Sequence, residues 1–185
     1  MKGSDKVNIS LGNIKLSEAF IDIRLAKKGD KPAFERLIEE HKYILYRIAR
    51  ARLHCEEDLE DAFQETIIKA YKGIINLRKE EYFKTWIIRI MINECNASLR
   101  KRKDILYISD NIAENMQIEK SEGNLEIFDL ISSLEEDLKI VTLLYFYEDM
   151  SQKDISKLLS IPHGTVRSRI SRAKEKLREI VKEDM

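Results

Sequence analysis

Residues that form turns are scarce in this sequence. Its 185 residues include only six glycines and two prolines, whereas 43% are hydrophobic and 36% are charged. Glycine and proline mark the turns that a turn-rich β fold needs at short intervals, so the composition favours helices. We therefore expect an all-α protein with enough apolar side chains to bury a core.

Cysteine is also scarce. Cys55 and Cys95 stand forty residues apart, with no Cys-x-x-Cys pair and no Cys/His cluster. A disulfide framework or a zinc site is therefore not expected, and a reducing cytoplasm fits. The sequence contains no catalytic motif either, so we expect no metal and no cofactor.

Long hydrophobic runs are missing throughout the chain. No apolar run near the start resembles a signal peptide, and no stretch approaches the ~18 uncharged apolar residues of a membrane span. We expect a cytoplasmic protein without a membrane span of its own.

The net charge of the whole chain is zero, but charged residues are unevenly distributed along it. The chain has 33 basic and 33 acidic residues. Residues 104–138 hold ten acids and one base, a net charge of −9, so the rest of the chain carries +9. The neutral total charge therefore conceals basic surfaces that are separated by an acidic stretch.

Residues 151–178 read as two short helices joined by a tight turn. Ser151 is a plausible N-cap, and Ile155, Leu158 and Leu159 follow at the spacing of one apolar stripe. Pro162 can open the second helix, because its fixed φ and missing N–H cost nothing there. The pattern predicts a helix-turn-helix.

The second helix of this pair is basic on its exposed sides. From 162 to 178 it contains six Lys or Arg and one acid. At ~100° per residue, one narrow face is apolar: Val166, Ile170, Ala173, Leu177 and Val181. Short polar side chains lie opposite, with basic residues on either side, which suits the major groove of DNA. An ordinary amphipathic surface helix is the alternative.

Apolar periodicity predicts four helices in the first half of the chain, near residues 17–28, 32–53, 56–75 and 82–103. The acids of the third helix suggest a solvated or protein-docking face rather than a metal site. In the fourth helix, Phe83 and Trp86 stand at core spacing, so we interpret Trp86 mainly as a core residue. Amide side chains and four consecutive basic residues follow them. Residues of these kinds are typical of a site that binds single-stranded nucleic acid.

The sequence divides into four parts. We expect a mobile tail over 1–15, a helical domain over 16–103, an acidic linker over 104–124 and a helix-turn-helix domain over 125–185. The fold class is thus all-α, with two small helical domains joined by an acidic linker.

Three stretches together resemble one family, the bacterial RNA polymerase sigma factors of the extracytoplasmic-function (ECF, group IV) type. Asp61-Ala-Phe-Gln-Glu-Thr-Ile-Ile-Lys-Ala-Tyr71 is similar to the helix that docks onto core polymerase. Phe83-Lys-Thr-Trp86 through Asn93, with the bases 100–103, resembles the region that melts and reads the −10 element. Gly164-Thr-Val-Arg-Ser-Arg-Ile-Ser-Arg-Ala173 resembles the −35 reading helix. The resemblance covers about residues 25–180.

The resemblance implies a role for three sets of residues. Core polymerase would be bound by Asp58, Asp61, Gln64 and Glu65. The −10 DNA would be bound by Asn93, Asn96, Ser98, Arg100, Lys101, Arg102 and Lys103. The −35 DNA would be bound by Thr165, Arg167, Ser168, Arg169, Arg172 and Lys176. The amides and Ser98 would contact a flipped nucleobase, and the four basic residues at 100–103 would hold phosphates.

Three positions depart from the family pattern. Glu135 stands where the family often has Pro, and Ser156 replaces a frequent small Ala. Ser160 takes a turn position that is usually Gly, and a positive φ there would cost up to ~1 kcal/mol. None of these departures involves a proposed base-reading side chain.

The resemblance implies that the chain binds core RNA polymerase and promoter DNA, with an anti-sigma factor as a further partner. The acidic linker either enters a basic channel of the polymerase or serves as a soluble spacer. A free-standing helix-turn-helix regulator is the alternative function, and an enzyme built on the acids near Asp61 is a distant third.

Overall fold

The computed structural model describes residues 19–108, 130, 131 and 133–183. Residues 19–27 are helical (α1), followed by α2 (Lys31–Arg50), α3 (Glu56–Gly73) and α4 (Phe83–Ile108), with short 3-10 turns at Ile74–Asn76 and Glu80–Tyr82. The second half contains α5 (Glu136–Thr142), a π turn at Leu143–Tyr147, α6 (Gln152–Leu159) and α7 (His163–Glu183). The described residues form helices and no strand, so the all-α prediction is confirmed.

Local sequence explains the corner between α1 and α2. Gly29 adopts φ 91°, a left-handed conformation that glycine reaches without strain. The carboxylate of Asp30 then accepts a hydrogen bond from the N–H of Ala33 at 2.8 Å. Pro32 lies in the first turn of α2, where it removes no helical hydrogen bond. The first helix therefore ends, and the second begins, within one residue of the predicted positions, whereas α2 ends at Arg50, three residues before the predicted 53.

The first half is built around the apolar faces of α2, α3 and α4. Leu45, Ile48, Ile87, Ile88 and Met91 are fully buried. Phe83 is buried and Trp86 is partly buried against the core, close to Gly73, so the core interpretation of Trp86 is confirmed. Helix α4 continues five residues beyond the domain end predicted at 103 and includes the start of the predicted linker. The predicted tail, the linker from 109 onward and most of 125–134 lie outside the described residues.

The helix-turn-helix is present at the predicted place. Ser151 caps α6, since its hydroxyl accepts a hydrogen bond from the N–H of Asp154 at 3.1 Å. Ser160 ends α6 in the left-handed region, with φ 55° and ψ 40°. The hydroxyl of Ser156 donates to the carbonyl of Ile161 at 2.7 Å. Ser156 thus bridges the turn that Ser160 strains, a contact that the alanine frequent in the family cannot make.

The two halves pack against each other. Buried side chains of α5, α6 and α7, including Ile155 and Leu158, belong to the same continuous core cluster as those of α2 to α4. Polar contacts surround this junction. Lys84 Nζ lies 2.5 Å from a carboxylate oxygen of Glu148, whose side chain is only 10% exposed. Nη2 of Arg89 donates to the carbonyl of Lys157 at 3.0 Å. The structure is therefore a closed arrangement of the two halves.

The strained turn leads to a prediction for stability. Replacing Ser160→Gly is expected to raise the free energy of unfolding by about 1 kcal/mol, because glycine adopts φ 55° without a Cβ clash. Chemical denaturation followed by circular dichroism measures the change. Ser171→Gly, at an exposed position within α7, is the matched control and is expected to destabilise the protein. A loss of stability in Ser160→Gly would contradict the strain argument.

Candidate nucleic-acid interface

The orientation of α7 is set by its apolar face. Val166, Ile170 and Ala173 are almost completely buried. The rotation of the helix therefore leaves its polar and basic positions at the surface: Arg167, Ser168, Ser171, Arg172, Lys174, Glu175 and Arg178 are exposed, and Thr165, Arg169 and Lys176 are partly exposed. All six residues predicted to bind −35 DNA thus lie outside the core. A helix that is apolar behind and basic in front can enter a major groove.

One side of α7 faces the acidic start of α5. Nη2 of Arg169 lies 3.0 Å from Oδ2 of Asp137, and Nη2 of Arg172 lies 3.7 Å from the same oxygen. Lys176 pairs with Glu135 one turn further along. Half of the predicted −35 residues are therefore in contact with acids of their own domain.

The opposite side of α7 has different neighbours. Lys174 Nζ lies 5.6 Å from the ring centroids of both Tyr145 and Phe146, within cation–π range. Between the two sides, the hydroxyl of Ser168 donates to the carbonyl of Thr165 at 3.0 Å. Arg167 has no ion pair with any residue that the structure describes, and it is exposed. Arg167 is therefore available to a phosphate or a base.

The residues predicted to bind −10 DNA do not share one surface. At ~100° per residue, Asn93, Asn96 and Arg100 fall within a narrow arc of α4, whereas Ser98 and Arg102 point elsewhere. The run of four bases consequently winds around the helix. Lys103 is helical, but its side chain lies outside the described part of the structure.

Two of these residues are already engaged. Oδ1 of Asn96 accepts a hydrogen bond from Nη2 of Arg52 at 2.6 Å. Nη1 of Arg102 donates to Oδ2 of Asp58 at 3.1 Å. The structure thus brings together Asp58, predicted to dock polymerase, and Arg102, predicted to bind DNA. Asn93 and Arg100 are exposed.

Helix α3 carries the predicted docking residues. Asp61, Gln64 and Glu65 are exposed along it, and Asp58 is partly buried. A groove of about 470 Å³ lies beside them, between α2 and α3. Its apolar lining includes Tyr43, which is 69% exposed, and Phe63. Phe63 stands in the apolar stripe of α3, beside Leu59 and Ala62 in the sequence pattern, so the pattern did not predict this groove.

The cysteines lack the surroundings of a reactive or metal-binding site. Both are free thiols, and Cys95 is completely buried. Burial raises the pKa of the Cys95 thiol to about 12, so it stays protonated at neutral pH. Within residues 19–108 and 130–183, apart from 132, no three His, Cys, Asp or Glu side chains are grouped to hold a metal ion. Among the helices described, none is both long and apolar enough to cross a membrane.

Comparison with known proteins assigns the family. The model of sigma-70 region 2 matches residues 37–105, and that of sigma-70 region 4 matches residues 124–177. The ECF RNA polymerase sigma-E factor of Haemophilus influenzae is 32% identical over 170 residues, covering 83% of this chain and 89% of that protein. The chain belongs to the ECF sigma factors of RNA polymerase. The resemblance seen in three sequence motifs is thereby confirmed.

Other comparisons agree with this assignment. The ECF sigma factor SigW of Bacillus subtilis is 29% identical, over 85% of this chain and 93% of that protein. In fold, this sigma factor resembles RpoE of Bartonella quintana, solved in complex with the anti-sigma factor NepR. The TM-score is 0.68 at 24% identity, over 82% of this chain and 98% of that one. The protein is a sigma factor that directs transcription initiation at promoters, as predicted.

Proposed function

We propose that this sigma factor binds core RNA polymerase through α3. The face that supports this role is exposed and acidic, with Asp61, Gln64 and Glu65 in successive turns. The groove beside it adds apolar area at Tyr43 and Phe63, which a docking helix of a partner could fill. Asp58 contributes by holding Arg102 rather than by direct contact, since the two form an ion pair.

The −10 element is read, in this proposal, by the side of α4 that presents Asn93, Asn96 and Arg100. Amide groups can hydrogen-bond the edges of an unpaired base, and the guanidinium can hold the adjacent phosphate. Lys101 is exposed and would add a further phosphate contact, and the part of Lys103 stays a prediction. Ser98 and Arg102 lie on other sides of the helix, and Arg102 shapes the site through Asp58.

The −35 element is read by α7. The exposure of the basic and polar side of this helix is the single observation that carries the proposal. Its apolar face is buried while Thr165, Arg167, Ser168, Arg169, Arg172 and Lys176 remain at the surface. Short side chains permit close approach to base edges, and the arginines can donate two hydrogen bonds to one guanine.

Reading both elements requires the two halves to separate. The −10 and −35 elements are about 25 base pairs apart, or ~85 Å along the duplex. A compact chain of this length has a radius of gyration of only ~16 Å, so the closed arrangement cannot contact both. We therefore assign the closed arrangement to the free protein and an open one to the polymerase-bound protein.

The same proposal assigns the remaining partners. RpoE of Bartonella quintana is bound by an anti-sigma factor in its solved complex, and we propose a partner of this class for the present chain. The sigma factor itself acts in the cytoplasm, where it serves as a binding subunit and not as an enzyme. The acidic linker lies mostly outside the described residues, and its place in the polymerase channel stays a prediction.

Run-off transcription with core polymerase and a promoter pool tests this function. The holoenzyme is expected to select a subset of templates, and sequencing those templates identifies both elements. A free-standing regulator would instead bind DNA tightly without polymerase and leave core polymerase unselective. That outcome would replace the proposal with the alternative.

Charge reversal tests the docking face. Asp61→Arg is expected to lower the affinity for core polymerase tenfold or more, because the new positive charge would oppose the basic partner surface that an acidic docking face complements. Asp61 is exposed, so the fold should persist. Fluorescence anisotropy of labelled sigma factor measures the affinity, and Glu35→Arg on the exposed side of α2 is the matched control. Equal affinities of Asp61→Arg and wild type would remove Asp61 from the docking face.

Truncation of Arg172 tests the reading helix. Arg172→Ala is expected to cost about 1–3 kcal/mol of discrimination at the −35 element, the scale of one good base contact. Initiation from a template with a pre-melted −10 element should be unchanged, because α4 is intact. Run-off yields from both templates measure the difference. Lys31→Ala, which removes one positive charge at an exposed position of α2, provides the control.

The junction between the halves gives a third test. Glu148→Lys would place two ammonium groups together where the carboxylate is largely buried, which disfavours the closed arrangement. Small-angle scattering of the free protein is expected to show a larger radius of gyration than the wild type, with helical content unchanged by circular dichroism. Glu81→Lys, at an exposed surface pair, should leave the radius unaltered. A Glu148→Lys protein as compact as the wild type would contradict the assigned junction.

A further inference from the structure

We propose that Asp137 is a positioning residue for −35 recognition, which it serves by holding Arg169 and Arg172 of α7 in the orientation that meets base edges. This inference rests on the proposed function of α7 and deepens it. It concerns a residue outside the reading helix, on α5, that no family motif assigned to DNA binding.

The geometry places one carboxylate oxygen between two arginines. Oδ2 of Asp137 lies 3.0 Å from Nη2 of Arg169 and 3.7 Å from Nη2 of Arg172. The two arginines stand three positions apart in sequence, so they are neighbours on the same side of α7. A single acid therefore constrains two adjacent candidate base readers.

The contacts leave most of the guanidinium donors free. An arginine carries five N–H groups in a planar fork, and Asp137 lies near only the Nη2 end of each. The side chains of Arg169 and Arg172 remain 22% and 52% exposed. Held in place but still accessible, each guanidinium loses less conformational freedom when it binds a guanine than a mobile side chain does.

The same contacts contribute little to stability. Asp137 is 43% exposed, and ion pairs between exposed side chains are screened by water and salt. Masking is the rival role, in which Asp137 only competes with DNA for the two arginines. Masking weakens binding to every DNA sequence equally, whereas positioning improves the correct sequence relative to others. The ratio between promoters separates the two roles.

The chain supplies a matched control in the neighbouring acid. Glu136 stands beside Asp137 in the first turn of α5 but contacts His54 at 3.2 Å and Lys139 at 3.3 Å, not α7. Glu136→Gln and Asp137→Asn thus remove the same charge from the same helical turn. The two variants differ in the partners they lose: Asp137→Asn loses the arginines of α7, whereas Glu136→Gln loses His54 and Lys139.

The test uses holoenzyme reconstituted from core polymerase and the full-length chain. Two templates compete in one run-off reaction: a promoter recovered from the pool, and the same promoter with its −35 base pairs replaced. Asp137→Asn is expected to reduce the yield ratio at least ~5-fold relative to wild type, the loss of part of a specific base contact. Glu136→Gln should keep the wild-type ratio, and Asp137→Glu should recover part of it. Thermal unfolding should be similar in all variants.

The outcomes are distinct. An unchanged ratio for Asp137→Asn, or equal increases on both templates, would establish masking or no role and overturn the proposal. A ratio that falls equally in Glu136→Gln would trace the effect to charge alone and also overturn it. If the wild-type chain directs no selective transcription from any template, the proposed function fails instead, before Asp137 is in question.

Discussion

Burial of the apolar face of α7 is the contact on which the remaining C-terminal structure depends. Val166, Ile170 and Ala173 allow only one rotation of the helix against α5 and α6. That rotation decides which cations meet the acids of α5 and which are left for the DNA contacts that we propose. Helix α7 is 21 residues long. Rotating it about its axis by one residue position would move every arginine on it by about 100°. Recognition of DNA is therefore controlled from the buried side.

Periodicity predicted the helices because burial acts on positions that repeat within one element. The caps were also local: Asp30, Ser151 and the left-handed Ser160 act within a few residues of their own positions. The pairings of the polar site residues could not be predicted in this way. Asp137 lies more than thirty residues before Arg169, and Asn96 lies 44 residues after Arg52. Such contacts depend on the rotation and spacing of two helices, which a single sequence pattern does not contain.

The end of α4 is a second feature that the sequence pattern did not predict. The acidic, weakly periodic residues after 103 predicted a linker, yet the helix continues to Ile108. Helical hydrogen bonds propagate from a nucleus that is already formed, so a helix can extend into residues without an apolar stripe. This extension places residues 100–103 inside the helix rather than at its end. Consecutive basic residues on a helix face different directions, whereas the same residues in an extended segment could follow one DNA strand.

Intramolecular acids also govern how strongly the protein attracts DNA by itself. Arg169, Arg172 and Lys176 are partly neutralised by Asp137 and Glu135. A phosphate that contacts one of these cations must displace a carboxylate as well as release a counterion, so it gains less than at an unpaired cation. Arg167 and Arg178 have no ion pair with a described residue, so we expect them to carry more of the nonspecific attraction. We expect the neutral total charge and these internal pairs to make the free sigma factor a weak DNA binder. In the proposed function, affinity then comes from polymerase, and α7 contributes mainly the choice between sequences.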